Sequence, residues 1–300
     1  MIPPMIPYVR ELAFEYGRCD PVSPLIRRVI ARNPGPFTYL GTGTYIVGHG
    51  VVAVIDPGPD MSDHLAAILR ATAGERVSHI LVTHHHLDHS PLARPLAAAT
   101  GAAIYGCAVA TLPLQGEVKL EAGHDAFTPD VSVCGGAMIE GGGWTLEAIP
   151  TPGHTSNHIC YGLAEENALF SGDHIMGWST TVVAPPDGDM GDYLASLALI
   201  AARNFATLWP THGPPIADPA PFIDAYIEHR RERERQILAR LAAGDSRIKA
   251  MVPVIYVAVD PRLHGAAAHS VLAQMIELVR SGRVRCEGAP GLKSDYRLAR

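Results

Sequence analysis

The chain has 300 residues, 47% hydrophobic and 18% charged, with a formal net charge of −6 and a mean hydropathy of +0.11. This is material for one large domain, or for one domain with a small appendage. No apolar run approaches the 18 residues of a membrane-spanning helix, which excludes a membrane partner of that kind. The opening stretch, MIPPMIPYVRELAFEYGR, has two early prolines and no basic n-region, and does not read as a signal peptide. The charge is uneven: residues 221–300 carry 14 Lys+Arg and 9 Asp+Glu, hence +5, which leaves −11 for the first 220. The five cysteines (Cys19, Cys107, Cys134, Cys160 and Cys286) are far apart with no C-x-x-C pair. That pattern speaks against disulfides and for free thiols in a reducing, cytoplasmic setting.

In chain order, residues 24–32 read as a strand, followed by a hairpin of 43–48 and 51–55 turned by Gly48-His49-Gly50. Asp56-Pro57-Gly58-Pro59-Asp60 ends that hairpin in a turn, and Leu65, Ile68 and Leu69 give 61–74 helical spacing. Residues 79–82 are a short buried strand. Ser90 is expected to cap a helix over 91–99, and 102–107 is the next strand. From about 116 to 173 strands alternate with glycine turns, among them 144–149, 158–162 and 168–170. Residues 192–202 form an amphipathic helix and 207–209 a last short strand. The tail then reads as helices over 219–243, 247–257 and 265–280, with Gly244 closing the first, and strands at 283–286 and around 296–298. Three helices and a hairpin are the layout of a winged helix, so the expected division is 1–218 and 219–300.

The chemistry is concentrated in Thr83-His84-His85-His86-Leu87-Asp88-His89, at the end of the strand 79–82. Imidazole nitrogens and a carboxylate at this density suit a borderline-soft divalent cation such as zinc, and the run is hard to explain as packing. His154, Asp173 and His212 each stand one step beyond an expected strand. Singly, such residues are more often structural. Jointly with the motif they supply seven candidate ligands at corresponding strand ends.

The pattern H-x-H-x-D-H at 84–89, with His154, Asp173 and His212, resembles the metallo-β-lactamase-fold hydrolase superfamily over residues of roughly 25–215. The resemblance implies an α+β fold, a four-layer αββα sandwich, with two divalent metals, of which zinc is expected, at one edge. It implies His84, His86 and His154 on the first metal, Asp88, His89 and His212 on the second, and Asp173 bridging both. His85 and Leu87 are spacers. β-Lactamases of this fold have cysteine where Asp173 stands, and flavodiiron proteins an acid at the position of His86. The β-CASP insertion and the tRNase Z arm have no counterpart here. The winged-helix-like tail, and the segment Gly172-Asp173-His174-Ile175-Met176-Gly177-Trp178, are similar to the β-lactamase-like-protein-2 group, some of whose members are endoribonucleases.

Such a site activates a water for attack on carbon or phosphorus. Asp88 is expected to orient that water and carry its proton. His174 is a second candidate, as general acid or oxyanion donor. His158 reads as structural, Asn157 and Tyr193 as residues near a substrate, and Arg283 and Arg285 as candidates for RNA phosphates. The first reading of function is phosphodiester hydrolysis of single-stranded RNA. The alternative is hydrolysis of small thioesters or lactones, similar to glyoxalase II. A third is a non-catalytic nucleic-acid-binding protein with a relict metal site. Self-association is left open.

Overall fold

The computed structural model describes residues 5–109, 123 and 127–299. The part of the expected strand region over 116–122 and 124–126 lies outside these residues. Strands β1 (Cys19–Pro21), β2 (Ile26–Ile30), β3 (Gly43–Val47), β4 (Val51–Ile55), β5 (Arg76–Leu81), β6 (Ala103–Gly106) and β7 (Val131–Ser132) form one sheet in sequence order. It is an antiparallel meander as far as β4 and parallel from β4 to β7. Strands β8 (Ala137–Glu140), β9 (Thr145–Pro150), β10 (Ile159–Leu163), β11 (Ala168–Gly172) and β12 (Thr207–Pro210) form the second sheet, in the order β12-β11-β10-β9-β8.

The alternation of each strand decides which layer each residue joins. Tyr45, Val47, Ala53 and Ile55 point into the space between the sheets, against Leu146, Tyr161, Phe170 and Trp209 of the second sheet. Their neighbours Ile46, Val52 and Val54 point the other way, onto Ile68 of α1 (Ser62–Ala71) and Leu96 of α2 (Ala93–Thr100). On the second sheet Cys160, Leu169 and Leu208 face Tyr193 and Leu197 of α3 (Met190–Ala201) and Phe222 and Tyr226 of α4 (Pro219–Ala242). Four layers result, helix, sheet, sheet and helix, as expected. A one-residue slip in any strand would reverse its faces, at roughly 1.5–3 kcal/mol for each large apolar side chain turned out of the core.

The far half of α4 joins α5 (Ile248–Ile255), α6 (His264–Arg280) and the hairpin β13 (Val284–Cys286) and β14 (Tyr296–Leu298) around a separate core. Ile237, Met251, Leu272, Met275 and Tyr296 form its centre. Gly244 ends α4 as expected, at φ +99° with its N–H on the Leu241 carbonyl. Thus α4 belongs to two cores: Phe222 and Tyr226 to one, Ile237 and Leu241 to the other. Among the described residues no helix is long and apolar enough to cross a membrane.

Two expectations are corrected. Ser90 does not cap α2, which begins at Ala93 with no side-chain cap. Its hydroxyl donates instead to the carbonyls of His85 and His86, bracing the histidine loop. Cys107 and Cys134 are not free thiols but a disulfide, with Cα atoms 5.0 Å apart. Parallel pairing of β6 with β7 brings the residues after each strand side by side, an adjacency that a separation of 27 residues conceals. Cys19, Cys160 and Cys286 are free.

His64 on α1 is buried under β3, its Nε2 2.8 Å from Thr44 Oγ1, which itself donates to the Asp56 carbonyl. Burial pushes its pKa down to about 4. The unfolded chain therefore takes up a proton at His64 before the native state does. The neutral ring's stabilisation is complete above about pH 6.5 and is lost as pH falls towards 4. We predict that between pH 7 and 4.5 the wild type loses roughly 2 kcal/mol more unfolding free energy than His64→Gln. Urea titrations at the two pH values check this, and equal losses would remove His64 as a source of acid sensitivity.

Candidate metal centre

Five strand ends meet at one edge of the sandwich. The loop after β5 carries His84, His86, Asp88 and His89, and the turn after β4 carries Asp56. From the second sheet come His154 after β9, Asp173 after β11 and His212 after β12. Tight turns aim the last three. Gly153 has φ +140°, and a Cβ there would lie 2.3 Å from the Tyr193 Cα. At Gly172, φ +52°, a Cβ would meet His158 Nε2 at 2.6 Å. No other residue fits either turn, and His154 and Asp173 each follow such a glycine directly.

The seven expected ligands are all brought together. His84 Nε2 lies 2.9 Å from His86 Nδ1, which is 3.2 Å from His154 Nε2. His212 Nε2 lies 3.1 Å from Asp88 Oδ2, and His89 Nε2 3.7 Å from the same oxygen. Asp173 stands between the groups: its Oδ2 is 3.8 Å from His154, and its Oδ1 is 3.6 Å from His89 and 3.4 Å from His212. Three compatible ligand groups follow: His84, His86 and His154; His84, His89 and Asp173; Asp88, His89 and His212. His89 Nε2, His212 Nε2 and Asp173 Oδ1 are buried with no hydrogen-bond partner. Orphaned buried polar atoms are costly, and here they converge on shared points, which is the arrangement a cation completes.

The opposite ring nitrogens show how each imidazole is held. His89 Nδ1 is 2.8 Å from Asp56 Oδ2, His154 Nδ1 2.6 Å from the Val182 carbonyl and His212 Nδ1 3.2 Å from the Gly41 carbonyl. Each acceptor holds the proton on Nδ1 and turns Nε2 inward, where its lone pair becomes a donor once any proton there is displaced. His84 Nδ1 lies 3.1 Å from Thr83 Oγ1, whose own proton goes to Asp56 Oδ2 at 2.9 Å. Asp56 is fully buried at φ +49° and accepts also from the Thr83 N–H and the Thr211 hydroxyl, both at 2.8 Å. Sequence reasoning assigned Asp56 only to a turn. The available signal was an acid one step beyond an apolar strand, the position Asp173 also occupies.

Electrostatics differ between the two halves. Burial and then neighbouring imidazoles hold His84 and His86 well below the ordinary histidine range, so they are neutral donors. Burial opposes charge at His89 and His212 as well, but Asp88 and Asp173 overcome it and raise both. In return, His89 and His212 outweigh burial and depress Asp88 and Asp173. Without a cation the second half balances its carboxylates with protons, and a cation entering there displaces them.

The other expected residues stand further off. His174 is fully buried with its ring 5.1 Å from that of Tyr193; burial pushes it down to about 3, and neither ring nitrogen makes a regular hydrogen bond. His158 accepts from the Asp173 N–H and pairs with Thr151 Oγ1, a structural part as expected. Asn157 is buried, its amide engaged by the Cys107 carbonyl, Thr155 and His85. Tyr193 is buried and donates to the His174 carbonyl. Beside His154 and Asp173 opens a cavity of about 290 Å³. Phe37 and Trp178 wall it on the sandwich side, and Arg230, Arg233, Tyr256 and Ala267 on the C-terminal side.

A four-layer αββα sandwich with a His/Asp cluster at its strand ends defines a class, and residues 39–212 match the Metallo-beta-lactamase superfamily. The chain belongs to that superfamily and is a metal-dependent hydrolase; its donor set implies a divalent metal. Residues 248–292 match the Beta-lactamase associated winged helix domain. The chain is 34% identical over 229 residues to a Beta-lactamase-like protein 2 homolog of Caenorhabditis elegans, covering 73% of this chain and 72% of that one. It is 31% identical to an Atrochrysone carboxyl ACP thioesterase of Claviceps purpurea, covering 74% and 67%. A metallo-beta-lactamase family protein of Thermus thermophilus has the same fold at TM-score 0.74 and 22% identity, covering 93% of this chain and all of the other. The reading as a non-catalytic protein falls with these findings.

Asp56→Asn keeps the shape of this hub but removes its charge and turns one acceptor into a donor facing other donors. We expect divalent-cation binding to weaken tenfold to a hundredfold, measured by competition with a chromophoric chelator while circular dichroism reports an intact fold. Wild-type affinity in that variant would take Asp56 out of this role.

Proposed function

We propose that the chain hydrolyses a small acyl substrate, a thioester or a lactone, with two zinc ions between its sheets. In this reading His84, His86 and His154 hold one ion, Asp88, His89 and His212 the other, and Asp173 touches both. Residues 1–218 form the catalytic unit and 219–300 the C-terminal unit. All proposed ligands come from one chain, so self-association is not required. A cytoplasmic location belongs to the same reading on the strength of three free thiols; the Cys107–Cys134 pair argues the other way.

The observation that carries the acyl reading is the cavity against His154 and Asp173. Its volume of about 290 Å³ and its aromatic walls suit a compact, partly apolar body. The Claviceps purpurea relative, named as a thioesterase, agrees with that chemistry. Single-stranded RNA, expected from the basic tail, has less support. Arg235, Arg240, Arg247, Arg262, Arg280, Arg283 and Arg297 are paired with carboxylates, whereas Arg285 on the hairpin is exposed and has no such partner among the described residues. Charge already neutralised in this way offers little to a polyanion, whose binding draws on free cationic groups.

Two divalent cations held there would supply Lewis acidity and lower the pKa of water towards neutrality. The protein's own part is orientation and proton transfer. Asp88, its side chain 25% exposed beside the fully buried His89 and His212, is the most exposed of the seven candidate ligands. In this reading its carboxylate would take a proton from the attacking water and return it to the leaving group. His174, sealed behind Tyr193, takes no part.

Two outcomes test this reading. Asp88→Ala should lose a hundredfold to ten-thousandfold in kcat while keeping about one equivalent of metal on His84, His86 and His154; full activity sinks the role. On a panel of short thioesters, lactones and labelled single-stranded RNA, EDTA-sensitive turnover should appear with the acyl esters and change little between 50 and 500 mM salt. Metal-dependent RNA cleavage that weakens steeply with salt, with no acyl turnover, would replace the proposal by the RNA reading.

A further inference from the structure

Among the described residues, seven arginines of the C-terminal region have an acid beside them. Of those that do not, Arg231 and Arg285 are exposed to solvent, whereas Arg230 and Arg233 of α4 are not. Arg230 is only 4% exposed, and among the described residues it has no carboxylate partner. Its guanidinium donates to the Thr181 carbonyl and lies 5.1 Å from the centre of the Tyr193 ring, while its Nε has no acceptor. Arg233, one turn further on, donates to Gln236 Oε1 and the Ile255 carbonyl and sits 4.5 Å from the centre of the Tyr256 ring. Its Nε is likewise buried and unpartnered, and it too has no carboxylate beside it. Both line the cavity that reaches His154 and Asp173. Burial, then these two cations, keep the adjacent His229 neutral, with a pKa near 3.

A desolvated guanidinium without a counter-ion is expensive, and the cost is tolerated where something else supplies the negative charge. Carbonyl dipoles and two ring faces meet part of it, yet each Nε–H remains directed at nothing. We propose that Arg230 and Arg233 form an anion-binding subsite, which holds a carboxylate or phosphate group of the substrate while its scissile bond lies at the His154 and Asp173 end. This rests on the acyl-hydrolase reading for the identity of the scissile bond, but the subsite itself is a claim about binding. It narrows the substrate to an acyl compound with an anionic oxygen group on a small apolar body. The planar fork of arginine suits either group. A carboxylate on the acyl part and a phosphate on the thiol carrier are the two sources of that chemistry.

Calorimetry on the full-length protein as purified separates this claim from catalysis. The probes are benzoate against benzamide, and pantetheine 4′-phosphate against pantetheine. We expect wild type to bind at least one anionic probe tenfold to a hundredfold more tightly than its neutral counterpart. Arg230→Gln and Arg233→Gln should each erase most of that difference and leave neutral-probe affinity unchanged. Whichever anion shows the effect identifies the source. Arg233→Gln, at the less buried position, keeps the test open should Arg230→Gln fail to fold. Equal affinity for charged and neutral probes in wild type overturns the subsite. So does an anion preference that survives both substitutions, as it would if the anion bound at the metals. A preference found in a protein with no acyl turnover would uphold the subsite and sink the acyl reading alone.

Discussion

One buried carboxylate holds the catalytic edge together. Asp56 accepts from Thr83, Thr211 and His89, residues that lie after β5, β12 and within the histidine loop. Thr83 belongs to the first sheet and Thr211 to the second, so a single anion ties two sheets at the point where their ligands must coincide. An ionised carboxylate in such a place would cost several kcal/mol if left unpaired. Four donors offset that cost only when both sheets are in register, which makes correct assembly of the site and stability of the edge one condition. The bridging contacts beside it, the Gly43 N–H on the Thr211 carbonyl and the Ile159 N–H on the Thr83 carbonyl, enforce the same register through the backbone.

From that constraint the division of labour among the histidines follows. His84 and His89 receive their orientation from the Asp56–Thr83 unit, whereas His154 and His212 receive theirs from backbone carbonyls. The inward nitrogens are therefore aimed before any cation arrives. Rigid aim of this kind raises affinity because little conformational freedom remains to be lost on binding. The two halves nonetheless differ, since burial keeps His84 and His86 neutral while the acidic group holds protons against its carboxylates.

Legibility in the sequence tracked how local each feature is. The cluster of candidate ligands was readable because four of its members lie within six residues and the other three repeat a strand-then-turn pattern. The four layers were readable because each strand alternates cleanly, as Tyr45-Ile46-Val47 does between two cores. Asp56 was readable only as a turn, because its partners are 27, 33 and 155 residues away. Cys107 and Cys134 meet through a strand pairing that spacing does not announce. Ser90 looked like a cap because serine before a helix usually is one, but here the carbonyls of the histidine loop compete for its hydroxyl. The charged middle of α4 concealed most: within Glu228–Arg235 nothing distinguishes Arg230 from Arg235, yet one is buried at a cavity and the other is ion-paired at the surface.

The C-terminal unit is where fold and function part. In a helix-turn-helix reader of nucleic acid, the last helix before the wing enters a groove. The corresponding helix here is α6, and its surroundings leave little room for that. Ala267 and Ser270 stand on the cavity wall, and Arg280 is tied to Asp189, the cap of α3 in the sandwich. Arg283 at the start of the hairpin is tied back to Glu234 on α4. The element that resembles a reader is thus turned inward, with Arg280 and Arg283 paired and Ala267 and Ser270 facing the cavity. Because α4 runs unbroken from the sandwich core to the C-terminal core, one helix carries both the cavity wall at Arg230 and Arg233 and the packing of the second sheet. In the proposed reading, chemistry is set by strand ends and selectivity by a helix that joins both cores.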